Sequence, residues 1–132
     1  LYQNHAGATS VGAPIWDLRY LMQNYPPEDL GIAFDIRHAT VEGGLAWPLH
    51  FRLASPHLGA IYVKDFKWQE NRKPKNVPLG TGRVDPKFFG QARAAGFSGP
   101  LSLHVEYLPQ AGLAPNVAAL KTDLATLRKL WG

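Results

Sequence analysis

The sequence predicts an α/β protein: a parallel (βα)4 portion in which four strands alternate with four helices along 132 residues. Two observations predict it. Short runs rich in β-branched and aromatic residues alternate with stretches whose apolar residues recur every three or four positions. Such alternation brings the strands parallel, with helices covering the sheet. Finally, "LGIAFDI" (Leu30 to Ile36) is apolar without alternation, the mark of a strand covered on both faces. Right-handed crossovers of this length allow an open doubly wound sheet or an arc of a (β/α)8 barrel. No glycine-rich fingerprint directly follows a strand, which disfavours a dinucleotide-binding sheet.

Each element has its own signal. "LYQNH" (Leu1 to His5) is a short first strand, followed by a Gly/Ala/Ser/Thr loop to Gly12. Pro14 suits a helix's first turn, and Ile15, Leu18, Leu21, Met22 and Tyr25 recur at helical spacing until Pro26-Pro27 stops them. After the strand at Leu30 to Ile36, "VEGGLAWP" reads as loop and "PLHFRLASP" as one short helix between Pro48 and Pro56. "GAIYVKDF" (Gly59 to Phe66) is the third strand, and a long loop ending "PLGTGRVDP" follows. Asp85 and Pro86 then suit a helix start, and Gly96 a left-handed stop. "GPLSLHVEY" is the fourth strand. The last helix, from about Pro115, carries Leu120, Leu124, Leu127 and Trp131 as an apolar packing stripe. "GTG" at Gly80 to Gly82 does not follow a strand directly and reads as a plain turn.

Composition bounds what the chain does. Apolar residues make up 45% and aromatics 11%, which suits a packed core and one domain over residues 1–132. The net charge of +4 comes from scattered lysines and arginines. Only "KDFKWQENRKPK" (Lys64 to Lys75) is locally basic, and it reads as a solvated loop, so no nucleic-acid partner is expected. No cysteine is present, which excludes disulfides and thiolate metal sites. No apolar run reaches the roughly 18–20 residues of a membrane span, and no membrane association is expected. Leu1-Tyr2-Gln3-Asn4 lacks an initiator Met, so the chain is expected to begin inside an element, and its compartment is not assigned.

In a parallel sheet, function is sought at the strands' carboxyl ends. There the sequence places Gln3 and His5, then Asp35 and His38, then Tyr62, Lys64 and Asp65, and finally His104 and Glu106. Alternation puts Tyr62 with Lys64, and His104 with Glu106, on one face each. Burying an imidazole and a carboxylate together costs several kcal/mol unless they pair or hold a metal. His50 and His57 read as structural. The four tryptophans read mostly as core, with Trp47 and Trp68 also placed in loops where they would wall a sugar site.

The motifs "QNHAG" (3–7), "DIRHA" (35–39), "YVKDF" (62–66), "PLGTGRVD" (78–85) and "GFSGPLSLHVEY" (96–107) together resemble the xylose isomerase-like (β/α)8 barrels. The resemblance implies strands five to eight of such a barrel, with the amino-terminal half absent. It also implies sugar or sugar phosphate isomerisation or epimerisation, by metal-assisted proton transfer next to a carbonyl. A divalent cation, Mn, Mg, Zn or Co, is the implied cofactor. By position, the family's first Glu falls on Gln3 and its Asp on Asp35. A substrate-contacting His falls on His38. The metal-binding His falls on Tyr62, and the second Glu on His104 or Glu106.

Gln3 does not ionise, and neutral Tyr62 is a poor divalent ligand, so a rearranged site is expected. Asp35, His104 and Glu106 are its candidate metal ligands, and His38, Lys64 and Glu106 its candidate catalytic groups. Gln3, His5, Tyr62 and Trp68 are the candidate substrate contacts. The competing readings are a barrel that binds carbohydrate or a protein without turnover, and a hydrolase or lyase on the same scaffold, the related abasic-site endonucleases included. The expected partner is a small sugar. Two open sheet edges also predict self-association, or pairing with the missing half-barrel.

Overall fold

The computed structural model describes residues 1–132. In chain order its elements are β1 (Tyr2–Gln3), α1 (Ile15–Met22), β2 (Ile32–Asp35), α2 (Ile36–Gly43), α3 (Trp47–Ala54) and β3 (Leu58–Val63), followed by β4 (Asp65–Trp68), β5 (Pro74–Val77), α4 (Lys87–Ala94), β6 (Leu101–Leu103) and α5 (Leu113–Trp131). The expected α/β architecture is present, as a four-stranded sheet in the order β1-β2-β3-β6. β1 pairs with β2 in parallel, and β2 with β3. Two units compose the chain: Leu1–Tyr62 with Gly99–Ser102, and Val63–Ser98 with Leu103–Gly132.

In the first unit all four residues of β2 are buried, which accounts for the unbroken apolar run. Its helices bury one face each: Ile15, Leu18 and Met22 from α1, and Trp47, Phe51 and Ala54 from α3. Phe51 meets Phe34 of β2 edge-on at 5.5 Å between ring centroids. Three expectations need correction here. The segment read as loop, "VEGGLAWP", is the end of α2, a short 3-10 turn at Gly44–Ala46 and the start of α3. Asp35 causes this by accepting a hydrogen bond from the His38 amide, so a helix begins as soon as the strand ends. Trp47 is therefore a core residue rather than a loop wall, whereas Trp16 is 64% exposed.

In the second unit the third strand is interrupted. β3 ends at Val63, and Asp65–Trp68 forms an antiparallel hairpin with Pro74–Val77 inside what reads as a long loop. Asp65 explains the break. Its buried carboxylate accepts backbone hydrogen bonds from Phe66 (2.8 Å), Gly80 (3.0 Å), Gly82 (2.9 Å) and Val84 (3.0 Å), tying the loop back onto the hairpin. The "GTG" turn is thus wrapped round a carboxylate of the chain itself. Asp85 accepts from the Lys87 amide at the head of α4, and Gly96, at φ +76, stops that helix where expected. α5 begins two residues before Pro115 and buries Asp123 and Leu127. Leu120 and Leu124 stay exposed, so the expected packing stripe is only partly used.

Candidate functional site

Two polar clusters gather the predicted residues, one in each unit. The first lies where β1 and β2 end. Gln3 aligns with Ala33 and Asp35 with Tyr62 across the parallel ladder. Gln3 Nε2 donates to Asp35 Oδ2 at 2.8 Å, and the His38 amide donates to Oδ1 at 3.1 Å. His38 Nε2 stands 3.7 Å from Oδ2. On the other side of its ring, His38 Nδ1 faces the Ala6 amide at 3.2 Å and Arg37 Nη1 at 3.0 Å. A nitrogen that accepts from two donors carries no proton, which places the ring proton on Nε2, toward Asp35. His5 stacks on His38 with centroids 3.9 Å apart. Tyr62 is half-buried beside Asp35.

The second cluster follows β3 and β6. Lys64 Nζ donates to Glu106 Oε1 at 3.0 Å and Oε2 at 3.2 Å, a two-point clasp on one carboxylate. His104 Nδ1 lies 3.3 Å from Oε1, and Asn76 Nδ2 donates to Oε2 at 3.2 Å. The His104 amide continues the strand ladder by donating to Val63 O at 2.9 Å, which fixes where these side chains start. Lys64 is 6% exposed and Glu106 45%. Burial pushes the Glu106 carboxyl up, but the Lys64 ammonium and then His104 outweigh it and hold the carboxyl below its ordinary value. Lys64 pairs with Glu106, whereas Asp65 turns to backbone amides. Trp68 lies on the hairpin, edge-on to Phe66 at 5.2 Å, and borders an open cavity of about 480 Å³ with Gln69, Glu70 and Asn71.

His57 is structural as read, with Nδ1 on Leu30 O at 2.9 Å and Nε2 near Arg19 at 3.2 Å. Four participants escape a reading of the sequence. Asn4, buried beside Gln3, donates to Asp35 O at 3.1 Å and accepts from the Asp35 amide at 2.7 Å, standing in for a strand partner. Arg37 and Asn76 contact the histidine and the glutamate described above. Asp123 accepts from Tyr107 Oη at 3.1 Å and from the Leu79 amide at 3.3 Å. Their one signal is polarity inside or beside apolar segments, which does not reveal a partner.

The donor set fits a divalent cation poorly in either unit. No group of three His, Asp or Glu is gathered that could hold one. In the first unit Gln3 turns its amide nitrogen, not its oxygen, to Asp35. In the second, an ammonium already sits on both oxygens of Glu106. Ligating a cation requires the amide to reverse in one case and the lysine to leave in the other.

A family model described as "Xylose isomerase-like TIM barrel" matches residues 1–130. Among solved structures, a xylose isomerase domain protein from Planctomyces limnophilus superposes with a TM-score of 0.70 at 21% sequence identity. The match covers 97% of this chain and 43% of that one, so the chain spans less than half of its neighbour's length. No curated protein sequence matches the chain.

Proposed function

We infer the function from one premise: this chain belongs to the xylose isomerase-like TIM barrel family. It contributes, we propose, the carboxyl-terminal half of a barrel that acts on a sugar or sugar phosphate by moving a proton next to a carbonyl. In this proposal the edge strands β1 and β6 join further strands of the barrel. The observation that supports the chemistry most directly is the Lys64–Glu106–His104 cluster beyond β3 and β6.

Such a reaction needs a base for the proton on the carbon beside the carbonyl, and a positive charge where the oxygen becomes negative. Lys64 supplies the charge and Glu106 the base. While Lys64 donates to both carboxylate oxygens, Glu106 is a weak base. A substrate carbonyl oxygen that takes one of those donors returns basicity to Glu106. Glu106 then accepts the proton, the C–H electron pair forms the enediolate double bond, and the carbonyl π pair moves onto oxygen beside the ammonium. The proton of the neighbouring hydroxyl passes to the former carbonyl oxygen, and Glu106, whose acquired proton exchanges with solvent, returns a proton to the former carbonyl carbon to complete the isomerisation. His104 orients the carboxylate, and Trp68 offers an exposed ring face for a sugar.

Solvent deuterium incorporation into a panel of aldoses, ketoses and their phosphates, followed by NMR on the whole protein, tests this. The expected result is exchange at one carbon, lowered at least about 100-fold in Glu106→Gln. Absence of exchange across the panel refutes it. A second reading, binding without turnover, draws support from Gln3, whose carboxamide occupies Asp35 where the resemblance implies a glutamate. Saturable sugar binding with no exchange favours that reading.

A further inference from the structure

We propose that Lys64 takes the place of a divalent cation at Glu106, so that this site is closed to metal ions by a charge belonging to the chain. The proposal rests on the acid–base reading of the same cluster and deepens it by saying which ligand the lysine excludes.

The geometry carries the argument. Lys64 Nζ is within 3.0 and 3.2 Å of the two Glu106 oxygens, so the ammonium lies where a cation chelated by that carboxylate must sit. It is the buried member of the pair. A metal ion that displaces Lys64 must break both hydrogen bonds from a buried ammonium to that carboxylate, and binding bears that cost. Two further groups surround the same carboxylate. His104 presents an imidazole nitrogen at 3.3 Å, and Asn76 a carboxamide whose nitrogen donates at 3.2 Å. The Asn76 Oδ1 atom is buried with no hydrogen-bond partner. Take away the ammonium and turn that amide, and one carboxylate, one imidazole and one carboxamide oxygen remain. That mixed N/O set suits Mn²⁺ or Zn²⁺. The lysine therefore separates a charge-neutral cluster from a latent cation site.

The proposal predicts a gain of function on deletion. Mn²⁺ is titrated into the whole protein, with free ion followed by electron paramagnetic resonance and heat by calorimetry. Wild type is expected to show no site with a dissociation constant below about 100 µM, a range that weak metal modules already reach. Lys64→Met keeps the apolar stem and is expected to bind one equivalent at least tenfold more tightly. Lys64→Arg, which keeps the charge, is expected to behave as wild type, and adding Glu106→Gln to Lys64→Met is expected to abolish the gain. One tight equivalent in wild type overturns the proposal. So does a Lys64→Met protein, folded by circular dichroism, that gains nothing, or a gain that survives Glu106→Gln. Failure of the isomerase reading registers separately, as absent deuterium exchange, and leaves the Mn²⁺ titration to be read by itself.

Discussion

Replacing Asp65 is the sharpest test of how the second unit is held together. Its side chain is 1% exposed and serves four backbone amides, with Phe66 and Val84 on Oδ1 and Gly80 and Gly82 on Oδ2. The approach is close enough that a Cβ on Gly82 falls on the Asp65 carboxylate and the Phe66 carbonyl. A hydrogen bond to a charged group contributes about 1.5–3 kcal/mol, and such bonds at one carboxylate are not additive. In Asp65→Asn one oxygen becomes an amine that faces two amide donors. Two bonds are lost and two N–H groups are left opposed, which gives about 3 kcal/mol. Asp65→Ala removes all four and leaves a small polar void, for about 3–5 kcal/mol, the upper end of what single substitutions cost.

Urea unfolding followed by circular dichroism reads the stability, and amide hydrogen exchange at Gly80, Gly82 and Val84 reads the mechanism. The three amides are expected to lose protection before the rest of the unit in Asp65→Asn. A loss under about 1 kcal/mol with all three amides still protected refutes the reasoning. If the alanine protein does not fold, the asparagine protein still gives both readings.

Two further predictions follow from the same kind of geometry. Asn4→Ala removes both polar groups that satisfy the Asp35 backbone where the β1–β2 ladder ends, and a loss of about 2–3 kcal/mol is expected in urea unfolding; a change under about 0.5 kcal/mol contradicts the strand-substitute role. Tyr107 is pushed up to about 12 by burial and by its hydrogen bond to Asp123. Its folded value lies above that of the unfolded chain, about 10, so its stability contribution is complete below about pH 10 and is lost as pH rises toward 12. The urea midpoint of wild type is expected to fall across that window more steeply than that of Tyr107→Phe, and parallel curves for the two proteins contradict it.

The parallel sheet was legible because its central strand is buried on both faces, and such a strand has no polar face to interrupt the run from Leu30 to Ile36. Helix ends were legible where one residue decides them, as Gly96 does. What escaped reading depends on partners far away in sequence. Lys64 reads as pairing with either Asp65 or Glu106, and it reaches Glu106, 42 positions on, while the aspartate reaches Gly80, Gly82 and Val84. Nothing in "YVKDF" distinguishes the two outcomes. Asn76 lay in a segment read as loop, and only the hairpin register brings it to Glu106. The α5 stripe misled for a related reason: Asp123, held by Leu79 and Tyr107, sets which face turns inward, and Leu120 and Leu124 are left outside.

The two strand-end acids divide along the same line. Asp35 meets a side-chain amide on one oxygen and a helix amide on the other, while its own backbone is bracketed by Asn4. A carboxylate so engaged gives up its cap if it turns to a ligand. Glu106 differs in kind: no backbone group donates to it among its described contacts, and its partners are the ends of side chains that move without unfolding anything. It is also the more exposed of the two. A substrate oxygen competes readily with a lysine for one hydrogen bond, but not with a helix for its first turn. The proposed chemistry is therefore assigned to Glu106 and Lys64, with Asp35 as a structural residue of the first unit, and exchange that survives Glu106→Gln but disappears in a folded Asp35→Asn protein would reverse that assignment.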